Sequence, residues 1–98
     1  MKREHVLKIL SENRQALRDR SVKSLAIFGS VARDEATDAS DVDLLVEFDA
    51  GHPKGLFEFI GVMNFLEDLL GCKVDLVMTD GIRKELREQV LREAIHAA

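Results

Sequence analysis

Between residues 41 and 48 the chain alternates without a break. Val42, Leu44, Val46 and Phe48 fall on one side, and Asp41, Asp43, Leu45 and Glu47 on the other. A period of two belongs to a β-strand. Such a strand must press its apolar side against a covering layer, while its carboxylates stay in reach of water or a counter-charge. It also needs strand partners. Two other apolar runs can supply them: residues 23–28, which stop abruptly at Gly29-Ser30, and residues 73–78.

The covering layer is written at a different period. Residues 4–18 carry Val6, Ile9, Leu10 and Leu17 at helical spacing. Residues 31–35 read as a short helix with Ser30 near its start. Residues 56–70 read as a longer one, with Gly71 placed to cap its C-terminus. Asp80 is placed to cap a last helix over about 82–96, with Ile82, Leu86, Val90 and Ile95 as its stripe. Residues 37–40 and 51–55 are polar or glycine-rich loops. The predicted fold is α/β (α+β): a small mixed sheet, with three strands visible and room for a fourth. Helices should lie mainly on one face, and the aspartates on an open one. The length of 98 residues fits one domain, 1–98.

Several classes of function are disfavoured early. At 46% hydrophobic and 33% charged, the chain has the balance of a globular protein, and no apolar run approaches a membrane span of ~20 residues. The opening residues show no signal peptide, and Cys72 stands alone, so the expected location is cytoplasmic. His5, His52 and His96 are scattered, which argues against zinc. A net charge of −4 disfavours direct nucleic-acid binding, which draws on clustered Lys and Arg. An acidic chain can still handle a nucleotide if divalent metal stands between carboxylate and phosphate.

The chemistry-bearing residues are few. Asp41 and Asp43 project from the same face of one strand, and two such carboxylates repel unless a cation lies between them. Mg²⁺ suits that place, since it is usually bound by one or two carboxylates plus substrate phosphates. Taken alone, Asp-x-Asp is more often a solvated strand start. Asp75 is more telling, because Val74, Leu76 and Met78 around it claim the core face and leave an acid on the other. Gly29-Ser30, between a strand and a helix, can bring backbone close to a phosphate or can be an ordinary turn. Arg33, one helical turn on, is a phosphate contact or a surface residue.

Together these residues form a string. Gly29-Ser30-Val31-Ala32-Arg33, then six residues, then Ser40-Asp41-Val42-Asp43-Leu44-Leu45-Val46 resembles the signature of the polymerase-beta-like nucleotidyltransferases, within them the minimal nucleotidyltransferase antitoxins. Val74-Asp75-Leu76-Val77 resembles that group's third-aspartate strand. The resemblance spans about residues 24–97. It implies that Gly29 and Ser30 hold the triphosphate, that Asp41 and Asp43 bind two Mg²⁺ ions, and that Asp75 binds one of them and helps activate the attacking hydroxyl. The substrate implied is ATP, attacked at its α-phosphate with pyrophosphate leaving. One departure is visible: a glycine commonly follows the arginine in this family, and here it is Asp34.

Little of the chain remains beyond such a catalytic core, so a partner should complete the site. The resemblance implies a HEPN-domain toxin whose tyrosine hydroxyl receives AMP. In the 56–70 helix, Leu56, Phe59, Ile60, Met63, Leu66 and Leu70 form the expected core face, while Val62, Phe65 and Leu69 are expected to meet another chain. Cys72 reads as a small apolar filler, and Arg83, Lys84, Arg87 and Arg92 as a solvated helix face. Two other readings stay open: an antitoxin of the same fold acting by contact alone, and a small-molecule nucleotidyltransferase of the aminoglycoside-modifying kind.

Overall fold

The computed structural model describes residues 2–37, 41–49 and 55–98. The chain opens with α1 (Arg3–Glu12) and α2 (Arg14–Asp19), followed by β1 (Val22–Phe28) and the single turn α3 (Gly29–Ala32). Then come β2 (Val42–Phe48), α4 (Leu56–Leu70), β3 (Val74–Met78), a 3-10 turn (Thr79–Gly81), α5 (Lys84–Glu93) and β4 (Ile95–His96). The four strands form one mixed sheet in the order β3-β2-β1-β4. β1 runs antiparallel to β2 and β4, while β3 lies parallel to β2 and is reached through α4. A parallel neighbour demands such a crossover.

The alternation in residues 41–48 is realised as read. Val42, Leu44, Val46 and Phe48 are buried with Leu25, Ile27, Val74 and Leu76 from the flanking strands. Val6, Leu10 and Leu17 from α1 and α2, and Val62, Leu66 and Leu70 from α4, complete this core. On the other side of β2, Leu45 is also buried, Asp43 is half-buried and Glu47 is exposed.

The structure departs from the sequence reading in five places. The first helix is broken at Asn13, whose side-chain amide donates to the Ile9 carbonyl at 2.8 Å and competes with the helical ladder. The helix read at 31–35 is the turn Gly29–Ala32, so Ser30 lies inside its first turn and Phe28 is the N-cap. Asp80 sits in the 3-10 turn, and α5 begins only at Lys84, with Arg83 at its N-cap position.

The fourth departure is at the C-terminus, where the helix ends at Glu93 and the chain turns extended. Ile95 and His96 pair with β1, and the backbones of Ala97 and Ala98 bond to that of Leu25 at 2.8–3.1 Å. The pull is the open edge of β1, whose backbone groups need partners.

The fifth concerns the face of α4. Val62 is 2% exposed and belongs to the core, and Phe65 and Leu69 are half-buried against it. The Arg20 guanidinium lies 4.3 Å from the centre of the Phe65 ring. Leu56 and Ile60, read as core, are exposed at 71% and 37%, and Phe57 between them at 89%. The flank expected to meet another chain is thus largely spent inside the domain. Within α4 the open apolar residues are on its first turns.

Candidate active site

The site begins where β1 ends. Gly29 takes φ +71°, a left-handed conformation that ordinary side chains resist. Its Cα faces Asp43 so closely that a β-carbon there would stand 3.0 Å from the Asp43 carboxyl carbon, and nearer still to Oδ2. The sequence marked Gly29 as a place of close backbone approach. In the structure the neighbour it makes room for is the carboxylate itself. The strand register explains the contact, because Phe28, the last residue of β1, lies opposite Asp43.

On the other side of β2, Asp43 lies opposite Asp75. The parallel register sets the two residues side by side on adjacent strands, close enough for the charge of Asp75 to act on Asp43. Asp75 is exposed, as its place between buried Val74 and Leu76 requires. A Glu67 carboxylate oxygen accepts from the Val74 N–H at 3.1 Å and ties the start of β3 to α4. Asp41 precedes β2 and is exposed; the next residue is held to β3 by the Val42 N–H donating to the Lys73 carbonyl at 3.1 Å.

These carboxylates act on one another. Burial first, then the charges of Asp75 and Asp41 and the hydrogen bond with Asp75, push the Asp43 pKa above the usual carboxylate range. The Arg33 guanidinium offsets part of this. The excess of negative charge is what a divalent cation would relieve. Among the described residues, no three His, Cys, Asp or Glu side chains stand gathered as a ready-made metal cage. Asp43 and Asp75 lie opposite each other across the strand register, and Asp41 acts on Asp43 as a further negative charge. That arrangement fits Mg²⁺, which takes part of its shell from substrate phosphates and water.

Arg33 caps the C-terminal end of α3 and is 45% exposed. Its Nε donates to Glu35 Oε2 at 3.2 Å and its Nη1 to Glu93 Oε2 at 3.3 Å. Neither glutamate was singled out by sequence. Glu35 is only two residues from Arg33, but Glu93 is 60 away, and no local pattern joins it to the turn. Asp34, the departure from the family's glycine, takes φ +60°. The position is left-handed, which explains a glycine there, and Asp is among the few other residues that tolerate it.

The remaining candidates are quiet. Cys72 is half-buried against the core, and burial raises its thiol pKa. His5 and His96 are exposed, and His52 and Ser40 lie outside the described residues. Arg83, Lys84, Arg87 and Arg92 are exposed, and Arg92 bonds to Glu88 on its own helix at 2.8 Å. No helix among the described residues is long and apolar enough to cross a membrane.

The chain and its fold have counterparts among known proteins. The chain is 39% identical over 94 residues to the protein adenylyltransferase MntA of Thermococcus cleftensis, covering 95% of this chain and 93% of that one. A solved structure assigned to the minimal nucleotidyltransferases superposes with a TM-score of 0.83 at 40% identity, covering 97% of this chain and 95% of the other. At the level of fold, a toxin–antitoxin crystallised with AMP-PNP matches with a TM-score of 0.73 at 21% identity, over 91% and 72% of the two chains. The family profile for the nucleotidyltransferase domain matches residues 6–96. The profile spans nearly the whole chain and the relatives match over the same length, and the chain belongs to the nucleotidyltransferase domain family.

Proposed function

We propose that this chain is the antitoxin of a toxin–antitoxin pair, transferring AMP from ATP to a tyrosine hydroxyl of a HEPN-domain toxin and so silencing it. The observation that carries the reading is the meeting of Asp43 and Asp75 across the β2–β3 register, directly against Gly29. The relative named a protein adenylyltransferase, similar over nearly the whole of both chains, supports a protein as the acceptor.

In this reading residues 1–98 act as one catalytic unit. Gly29 and Ser30 hold the triphosphate, the glycine by letting backbone approach the phosphates and the serine through its hydroxyl. Arg33 donates to a phosphate oxygen. Asp41, Asp43 and Asp75 are the ligands for Mg²⁺, with two ions expected; when bound, the metal neutralises charge on the attacking and leaving oxygens. The acceptor oxygen forms a bond to the α-phosphorus, and the bond from that phosphorus to the bridging oxygen breaks. Pyrophosphate carries away the electron pair. The hydroxyl proton leaves toward Asp75, the exposed member of the pair. The chain contributes placement and charge compensation rather than a covalent intermediate.

The test follows the label. Wild-type chain and Asp43→Asn are each incubated with α-labelled ATP, Mg²⁺ and the protein encoded beside this one. Label on the partner with wild type alone supports the proposal. Neutralisation of the partner by both forms with no label would replace it with a contact mechanism. Label on an added aminoglycoside would replace it with small-molecule transfer.

A further inference from the structure

Arg33 is a cation close enough to act on Asp43, and its orientation is set in part from outside the signature. The guanidinium carries five N–H donors. Glu35 takes the one on Nε and Glu93 takes one on Nη1, leaving three, including both on Nη2. Glu35 comes from the turn itself. Glu93 comes from the last turn of α5, a helix with no fully buried residue that lies against α3. The two acids reach the arginine from different elements and brace a side chain that is otherwise long and exposed.

We propose that Glu93 is a positioning residue for nucleotide binding: with Glu35 it holds the Arg33 guanidinium at the rim of the carboxylate pair, Nη2 free to meet a phosphate oxygen of the triphosphate. This rests on the phosphate-binding role proposed above for Arg33. Exposed ion pairs add little to stability, so the contact matters for where it aims the arginine. An unbraced arginine must give up its rotamer freedom when the nucleotide binds, and the bracing acid removes part of that cost beforehand. It also ties α5 to the phosphate turn.

Steady-state transfer to the partner protein, with ATP varied, tests this. Glu93→Ala should raise KM for ATP by roughly two- to fivefold, the range an exposed ion pair carries, with kcat at saturating ATP unchanged. Glu93→Gln, which keeps a carbonyl acceptor, should fall between alanine and wild type. In an Arg33→Ala background, Glu93→Ala should add nothing. Melting temperature, followed alongside, should move by no more than about 4 °C, the effect of a surface pair on a domain this size.

A lower KM in Glu93→Ala would overturn the proposal, since the acid would then be competing with phosphate for the arginine. So would an unchanged KM, or a loss confined to kcat. If Arg33→Ala leaves KM unchanged while Asp43→Asn abolishes transfer, the role of Glu93 falls and the carboxylate reading stands. If wild type transfers no AMP, both fall.

Discussion

Replacing Gly29 with alanine would put a methyl group where the structure has an aspartate. The backbone there is at φ +71°, and holding an alanine in that region costs about 1–2 kcal/mol. The new carbon would also meet Asp43, whose carboxyl carbon would be 3.0 Å away and whose Cβ 3.3 Å. Asp43 can yield by turning its side chain off its preferred rotamer, at about 0.5–1.5 kcal/mol. The sum is about 1.5–3.5 kcal/mol, or a fall in melting temperature of roughly 7–17 °C for a domain near 100 residues. Gly71 provides the internal control. It sits at φ +69° with nothing within 4 Å of a built Cβ, so Gly71→Ala carries only the backbone cost, about 1–2 kcal/mol.

Thermal melts of both variants read the stability difference, and AMP transfer at a temperature where both stay folded reads the site. Gly29→Ala should lose about 100-fold in transfer, the scale associated with a misplacement near 1 Å, while Gly71→Ala keeps its activity. Equal melting temperatures with transfer retained in both would refute the close approach of Gly29 to Asp43.

Other perturbations have equally definite outcomes. Asp43 has its pKa raised in the folded state, so its charge opposes folding: the associated stability is present at low pH and is lost as pH rises through the folded-state value. Asp43→Asn should therefore abolish transfer and yet raise the melting temperature at neutral pH, a gain that should vanish in acid melts. Asp34→Gly relieves a left-handed aspartate and should stabilise by about 0.5 kcal/mol with transfer intact, as read by denaturant titration. Leu66→Ala opens the core between α4 and the sheet and should cost about 2–5 kcal/mol, whereas Phe57→Ala, 89% exposed, should leave the denaturation midpoint nearly unchanged.

Sequence and structure part company where tertiary contacts overrule local pattern. The β2 alternation was legible because period two and burial agree from Val42 to Phe48 everywhere but at Leu45, which is buried on the other face, and Asp75 was legible because its neighbours claim the core. That Asp75 pairs with Asp43 was only conditional, since a register is a relation between strands and leaves no mark within either one. β4 was not legible. Ile95 falls in phase with Val90 and Leu86 and reads as helix, and only the open backbone of β1 makes the chain turn extended there. The face of α4 was read with the wrong tilt, because a helix uniformly apolar along both flanks does not reveal which first-turn residues overhang the sheet. Leu56 and Ile60 do, and Val62 does not. Glu93 was out of reach altogether, one glutamate among several on an exposed helix, distinguished only by the arginine it meets.

The central claim is that the paired carboxylates on β2 and β3 make this chain a transferase acting on a protein. Intact-mass spectrometry of the partner protein, after incubation with ATP, Mg²⁺ and either wild type, Asp43→Asn or Asp75→Asn, tests it most directly. The account predicts that the partner gains whole AMP units with wild type and none with either variant, all three chains remaining folded. A partner modified equally by Asp43→Asn and Asp75→Asn, or left unmodified by wild type while still being neutralised, would contradict it.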